Sequence, residues 1–175
     1  MNSKKTKTNK IWGQRMKSKP SYLLTKINAS IDVDKKLYVQ DIKASIAHAK
    51  MLAKQKIIKK DKSDKIIKGL KKIEKEIQQK KFKFSVFDED IHLNIEKRLF
   101  EIIGNDAGFL HIARSRNDQV TTDFKLWTIE ASNTLKIEIK NLIKSILKLA
   151  EKNKDVIMPG FTHLKNAQPI LFSHY

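Results

Sequence analysis

The stretch NDQVTTDFKLWTIEASNTLKIEIKNLIKSILKLAEKN, residues 117–153, decides the fold of this chain. It contains no glycine and no proline, and its apolar residues recur at the spacing of one helix face. A single helix of this length extends about 50 Å, too far for a small monomer to cover its apolar side. The sequence therefore predicts a bundle of long helices, to which other subunits can contribute. The stripe consists of Val120, Phe124, Trp127, Ala131, Leu135, Leu142, Ile146 and Leu149.

Three shorter amphipathic segments precede the long one, and each predicts a helix. The expected start positions are Asp32 or Asp34, then Ser63 or Asp64, then Asp88. Gly104 is a typical stop signal for the third helix. The three apolar faces consist of Leu37, Ile42, Ile46, Ala49, Ala53 and Ile57; of Ile66, Ile67, Leu70, Ile73 and Ile77; and of Ile91, Ile95, Leu99 and Ile102.

The remaining segments lack this spacing. Residues 11–31 are expected to form an extended lead with turns, and residues 105–115 a loop. Residues 82–87 fit either a short strand or an extended loop, and the loop is favoured. Pro159 and Gly160 end the long helical region, and a new helix is expected near Ala167.

These elements predict a mainly α fold in two parts. Residues 1–10 are expected to be a disordered basic lead, and residues 11–112 a small N-terminal helical domain. Residues 113–175 are expected to begin a central helical-bundle domain that is incomplete within this sequence.

The chain is strongly basic, with 37 Lys and Arg against 19 Asp and Glu in 175 residues, a formal net charge of +18. A basic nucleic-acid-binding module is one explanation of this charge. However, lysines are spread over every predicted helix, and aromatic residues are not interleaved with them as base stacking requires. A solvated lysine-rich surface and a small anionic substrate are therefore the favoured explanation.

Composition also bounds the location. Cysteine is absent, which excludes disulfides and thiolate ligands and fits a reducing cytoplasm. No apolar run approaches the roughly 20 residues of a membrane span. Residues 1–10 lack the apolar middle of a signal peptide. A cytoplasmic protein without a membrane partner is expected.

Two polar segments stand out in the second half. Residues 113–119, ARSRNDQ, place two guanidinium groups, a hydroxyl and two amides just before a helix start, a combination that suits carboxylates. Taken alone, an Arg-Ser-Arg triplet such as residues 114–116 more often precedes an ordinary capped helix and forms a surface ion pair. His163 lies beside the turn at residues 158–160 and can serve as a general acid or base. A lone histidine is more often a hydrogen-bonded structural residue.

Two further polar segments lie in the first half. Residues 89–92, EDIH, can form a polar site, but they are also explained by an acidic first helical turn, which the helix dipole favours. Residues 28–30, NAS, are explained equally by a plain turn. The sequence contains no glycine-rich phosphate loop and no His-Glu-x-x-His zinc motif. His48 and His92 lie on predicted helices with no evident metal-ligand partner.

The order and wording of these segments together resemble the argininosuccinate lyase family. Residues 11–15, IWGQR, are similar to the family's opening Trp-Gly-Gly-Arg, and residues 28–31 to its Asn-Ala-Ser loop. Residues 38–52 resemble its first helix, and residues 113–120 and 158–169 resemble its two conserved blocks. The δ-crystallins, followed by other fumarase/aspartase relatives, are the next most similar groups. Positions that depart from the family pattern are Gln14, Ile112 and Lys165.

The resemblance implies a mainly helical homotetramer of the fumarase/aspartase type, with each active site assembled from three chains. It implies cleavage of argininosuccinate to arginine and fumarate by β-elimination, with no metal and no organic cofactor. His163 matches the family's acid/base histidine. The residues implied to bind substrate are Ser30, Asp90, Arg116, Asn117 and Thr162, with Arg114 and Gln119 supporting their loop.

The family's base-bearing loop, Ser-Ser-x-Met-Pro-x-Lys, is not present in these residues. We therefore expect the sequence to be the N-terminal part of such a lyase and to be inactive alone. The alternative from a different class is a non-catalytic, δ-crystallin-like helical protein. The retained Arg116, Asn117, Thr162 and His163 argue against it.

Overall fold

A computed structural model describes residues 21–175, so the predicted basic lead and the IWGQR motif lie outside the described residues. The chain forms two compact units, with the division between Trp127 and Thr128, and the predicted domain boundary at residue 112 stays a prediction. The mainly α prediction is confirmed for the described residues. The helices are α1 (Tyr22–Asn28), α2 (Ile31–Asp34), α3 (Tyr38–Lys54), α4 (Lys60–Gln78), α5 (Ile91–Ile103) and α6 (Arg116–Lys152). The strands are β1 (Ile157–Thr162) and β2 (Lys165–Leu171), and short 3-10 turns occupy Lys35–Leu37, Val86–Asp88, Gly104–His111 and Phe172–His174.

The core of the first unit is built from one face each of α3, α4 and α5. The predicted apolar faces are confirmed in most of their members, because these side chains are fully buried against one another. Ile57 differs, since α3 ends at Lys54 and the next buried side chain is Ile58. The most deeply buried of the predicted side chains are Ile42, Ile66, Leu70, Ile73, Ile91, Ile95 and Leu99, and Leu52, which the predicted face did not include, is fully buried as well.

Gly69 lets α4 and α5 pack closely. A Cβ built on Gly69 would lie 2.5 Å from Cδ1 of Leu99, so the space that a side chain needs is already filled. Glycine within a helix costs about 1 kcal/mol relative to alanine. The close packing of Leu99 explains why that cost is accepted here.

Two of the predicted helix starts are wrong. α4 begins at Lys60, and Ser63 lies inside the helix, where its hydroxyl donates to the carbonyl of Ala49 at 3.0 Å. This bond satisfies a buried hydroxyl and joins α4 to α3. The preceding helical segment begins at Ile31 with Ser30 at the cap position, rather than at Asp32 or Asp34.

The third start is also displaced. Asp90, not Asp88, caps α5, and its carboxylate accepts the N–H of Leu93 at 2.6 Å. Gly104 ends α5 as predicted, with a left-handed φ of +69°. The loop favoured for residues 82–87 is correct up to the 3-10 turn that begins at Val86.

The extended lead predicted for residues 11–31 is wrong where the structure describes it. Residues 22–28 form α1, and the Ser21 hydroxyl caps it by accepting the N–H of Leu24 at 3.1 Å. None of the residues of α1 is buried. A helix without a buried face leaves no apolar period in the sequence, which explains the error.

The single long helix is confirmed, because α6 spans 37 residues. Much of the predicted stripe is exposed in the described chain, as at Leu142, which is 59% exposed. Neither α6 nor any other helix within residues 21–175 has an apolar stretch long enough to cross a membrane.

The helix predicted near Ala167 is wrong, because β1 and β2 form an antiparallel hairpin there. Pro159 and Pro169 are paired across the two strands. Proline cannot continue a helix, whereas both edges of a two-stranded sheet accept it. His163 and Leu164 form the turn, with φ values of +48° and +62°.

Candidate active site

α3, α5 and the first turns of α6 bring four polar side chains together inside the first unit. Asp41 accepts a hydrogen bond from Nδ1 of His92 at 2.8 Å and another from Nε2 of Gln119. Oδ2 of Asp123 lies 3.5 Å from the same His92 nitrogen. The side chains of Asp41 and His92 are each 1% exposed, and that of Asp123 is 0% exposed. Charged groups are almost never buried this deeply unless they are paired.

The two buried carboxyl groups have opposite pKa shifts. Burial raises the pKa of Asp41, but the hydrogen bond and charge of His92 outweigh burial and lower it overall. Burial, together with the charge of Asp41, raises the pKa of Asp123 to about 8. Burial lowers the pKa of His92, but its hydrogen bond to Asp41 prevails and raises the pKa above its ordinary value. The group therefore retains protons near neutral pH.

Arg116 opens α6 and is held on several sides. Its Nη1 and Nη2 donate to the carboxylate of Glu96 at 3.1 and 3.2 Å. Nη1 also donates to Oε1 of Gln119 at 2.6 Å, and Nε lies 3.7 Å from Oδ2 of Asp90. The amide of Gln119 thus joins Arg116 to Asp41, since one end accepts and the other donates.

Arg114 is a half-buried cation with unused donors. Its Nη1 donates to the hydroxyl of Ser45 at 3.0 Å, while Nε and Nη2 are buried without a hydrogen-bond partner in the described chain. Burial lowers the pKa of Arg114 even though Asp41 and Glu96 lie nearby. Planar guanidinium donors of this kind suit a carboxylate ligand.

Ser30 is tied to the start of α5. Its N–H donates to the carbonyl of Glu89 at 2.9 Å, and its hydroxyl donates to Oδ2 of Asp34 at 2.6 Å. Oδ1 of Asp34 in turn accepts the N–H of Ile91 at 3.1 Å. Burial raises the pKa of Asp34. These bonds place Ser30 close to Asp90, the cap residue of α5.

The comparisons with known proteins agree on one family, since the lyase family matches residues 14–175. The chain belongs to the lyase family. It is 58% identical over 165 residues to the argininosuccinate lyase of Pelagibacter ubique, covering 94% of this chain and 36% of that protein. It is 51% identical over 168 residues to the argininosuccinate lyase of Bartonella bacilliformis, covering 96% of this chain and again 36% of the relative. This lyase chain thus spans little more than a third of the relatives it matches.

A solved structure supports the same fold. The fumarate lyase from Mesorhizobium sp. BNC1 superimposes with a TM-score of 0.61 at 20% sequence identity. The match covers 82% of this lyase chain and 35% of the other.

Most of the predicted site residues of this lyase chain lie in the first unit. Arg116 contacts both Asp90 and Gln119, and Ser30 lies beside Asp90. Asn117 is exposed, and its N–H donates to the Ser115 hydroxyl at 3.3 Å. In the second unit, exposed Thr162 ends β1 and exposed His163 begins the turn. The roles assigned to all of these residues, Arg114 included, stay predictions.

Sequence reasoning did not single out Asp41, Glu96 and Asp123, which the structure brings into contact with Gln119, Arg116 and His92 respectively. For Asp123 the available signal is a polar pair four positions apart in the first turns of the long helix. Gln119 and Asp123 form such a pair on α6. Two polar residues one turn apart on a buried face have to be paired with other polar groups.

The same group has the composition of a cation site. The ligand atoms of Asp41, His92 and Asp123 lie within 4.8 Å of one another. However, Nδ1 of His92 donates a hydrogen bond to Oδ1 of Asp41, and the Gln119 amide donates a second one to that same oxygen. The arrangement therefore favours a shared proton over a cation.

Proposed function

We propose that the protein is an argininosuccinate lyase that cleaves argininosuccinate to arginine and fumarate, with residues 21–175 supplying part of the active site. The observation that carries the proposal is the network of Arg116, a guanidinium at a helix N-terminus fixed by Asp90, Glu96 and Gln119. The 58% identity to the Pelagibacter ubique enzyme supports the same assignment.

The reaction is a β-elimination from a substrate with several carboxylates. A base removes a proton from the carbon next to one carboxylate, and the electron pair forms the double bond of fumarate. The carbon–nitrogen bond breaks at the same time or afterwards, and the leaving guanidino group takes a proton. Preorganised cations and N–H donors stabilise the charge that builds on the carboxylate.

The cationic residues of the first unit supply such donors. Arg116 lies at the N-terminus of α6, where the helix dipole also favours negative charge. Arg114 offers two buried nitrogen donors, Nε and Nη2, without a partner in the described chain. In this proposal Ser30 and Asn117 contribute further hydrogen bonds to the substrate.

The second unit contributes the acid/base chemistry in this proposal. His163 transfers a proton or tunes the group that does, and neighbouring Thr162 binds substrate. Histidine suits the role because its proton exchanges near neutral pH. No metal and no organic cofactor form part of the proposal.

We propose assembly as a homotetramer in the cytoplasm, without a nucleic-acid or membrane partner. The exposed apolar stripe of α6 supports assembly, since apolar surface of this extent is rarely left open to water. No second function is proposed, because the relatives are named argininosuccinate lyases.

The test is a fumarate-release assay on the complete reading frame that contains these residues. Arg116→Lys should lower kcat/KM at least about 100-fold, because lysine cannot reproduce the fork of hydrogen bonds. His163→Asn should lower kcat by at least about 100-fold. Arg98→Lys is the matched control, since Arg98 pairs with Glu76 at the surface. This variant should retain about wild-type activity.

Each outcome decides a different point. A wild-type protein that releases no fumarate from argininosuccinate rejects the proposed function. An active enzyme in which Arg116→Lys behaves like Arg98→Lys removes Arg116 from the site. Near-normal turnover by His163→Asn removes the acid/base role of His163.

A further inference from the structure

The first unit buries three titratable side chains that the proposed reaction does not use. Asp41 on α3, His92 on α5 and Asp123 on α6 are each at most 1% exposed. Three separate helices converge on this point, so its charge state affects how they pack. A buried charge without compensation is costly, so the group needs a balanced arrangement of protons.

The positions of the donors indicate where the protons lie. Nδ1 of His92 donates to Asp41, which also receives the amide N–H of Gln119. Neither oxygen of Asp123 receives a hydrogen bond from another group in the described chain. Two carboxylates cannot bond to each other, because both only accept. A proton on Asp123 resolves the conflict, since its hydroxyl then donates to Asp41.

We propose that Asp41, His92 and Asp123 form a proton-sharing cluster that positions Arg116 through Gln119. In this cluster Asp41 is a carboxylate that accepts from Nδ1–H of His92, and Asp123 is a carboxylic acid that donates to Asp41. The link is geometric. Asp41 only accepts hydrogen bonds, so it fixes the NH₂ end of the Gln119 amide toward itself. The carbonyl end then points at Nη1 of Arg116, 2.6 Å away. The functional part of this inference rests on the proposed role of Arg116.

Other charged groups face the cluster from every element packed against it. The nearby anions come from α2 and from the cap and body of α5, and the nearby cations from the segment before α6 and from its first residue. Their charges act on His92, Asp123 or Arg114. The groups are Asp34, Asp90, Glu96, Arg114 and Arg116.

The cluster gives the stability of the fold a defined pH dependence. Asp123 is protonated in both states at low pH, and only the unfolded chain loses that proton as pH rises above the ordinary carboxyl value. Stability therefore falls with rising pH until the folded Asp123 ionises, near pH 8. His92 acts in the same direction, because its raised pKa stabilises the fold at low pH and this gain is lost as pH rises. The lowered pKa of Asp41 matters only in acid, where its protonation removes stability.

The test follows melting temperature from about pH 5.5 to pH 8.5 in the complete enzyme. Wild type should lose stability across this range. Asp123→Asn should flatten the loss, because the amide still donates to Asp41 but does not titrate. Asp64→Asn, an exposed carboxylate on α4, is the matched control and should keep the wild-type slope. An Asp123→Asn profile parallel to wild type would overturn the proposal.

A measurement on wild type alone covers the case in which Asp123→Asn does not fold. Infrared spectroscopy at pH 7 should show the carbonyl stretch of a buried protonated carboxyl group, and the band should disappear above about pH 8 as Asp123 ionises. Absence of the band at pH 7 overturns the proposal. A melting temperature that rises with added Mn²⁺ or Zn²⁺ and falls with a chelator also overturns it, because the cluster would then be a cation site.

The positioning role has its own readout. Asp123→Leu removes the donor and should raise KM for argininosuccinate about 10-fold with a smaller change in kcat, while Asp123→Asn should stay within about 3-fold of wild type. Equal KM values for the two variants overturn the link to Arg116. If wild type has no lyase activity, the proposed function fails, while the infrared band and the pH profile still decide whether the cluster shares protons.

Discussion

Apolar side chains on α4 and α6 have the same helical spacing in opposite surroundings. Leu70 and Ile73 on α4 are fully buried, because α3 and α5 of the same chain pack on that face. Leu142 on α6 is 59% exposed, and its neighbours along the stripe are exposed to a similar extent. The spacing of apolar residues thus predicts that a helix forms. Whether its apolar face is buried depends on whether another apolar face packs against it. In the first unit the chain supplies all the helix faces that form the core. Along most of α6 the described chain supplies only the apolar stripe of α6 itself and no face that buries it.

The largest expected effect tests this contrast directly. Leu70→Ala should lower the free energy of unfolding by about 2–5 kcal/mol, because it empties a packed site. Leu142→Ala should change it by less than about 0.5 kcal/mol in the 175-residue chain, since the side chain already faces water. Both values come from urea unfolding at concentrations where the chain is monomeric by sedimentation. An equal loss for the two variants would contradict the contrast.

A smaller effect concerns how the first unit ends its helices. Gly104 has φ +69° and ψ −146°, a conformation that only glycine adopts readily, and no atom lies within 4 Å of a Cβ built there. Gly104→Ala should therefore cost about 1–3 kcal/mol from backbone strain alone. Gly108→Ala is the control, because it has the same open surroundings without a left-handed φ. If thermal unfolding gives equal losses, the stop at Gly104 has another cause.

Local rules explain which parts of the fold were predictable. The extent of α6 and the stop at Gly104 follow from residues close in sequence. The start of α4 does not, because the Ser63 hydroxyl bonds to Ala49 on another helix rather than capping its own. The hairpin was missed because Ala167 sits among residues that also suit a helix, while Pro159 and Pro169 are paired across the strands.

The candidate site divides in the same way. The segment around Arg116 can be predicted from the sequence, because it places several polar groups just before a helix start. An amphipathic helix does not require polar residues at those positions. The cluster beneath it was not, because Asp41, His92 and Asp123 come from three helices far apart in sequence. Each of them alone is explained by an ordinary helix surface. Only the packing of α3, α5 and α6 shows that these positions face inward.

The smallest expected effect lies in the turn of the second unit. Leu164 has φ +62° and is 98% exposed, so it has the strain of a left-handed residue without any packing in return. Leu164→Gly should stabilise the hairpin by about 0.5–1 kcal/mol, measured as slower amide exchange in β1 and β2. Lys165→Gly is the control and should weaken the hairpin, since glycine is unfavourable in a strand. Faster exchange in Leu164→Gly would contradict the strain argument. In the complete enzyme, a more stable hairpin with slower fumarate release would mean that the strained turn holds His163 in its working position, because strain kept at an exposed site needs a functional reason.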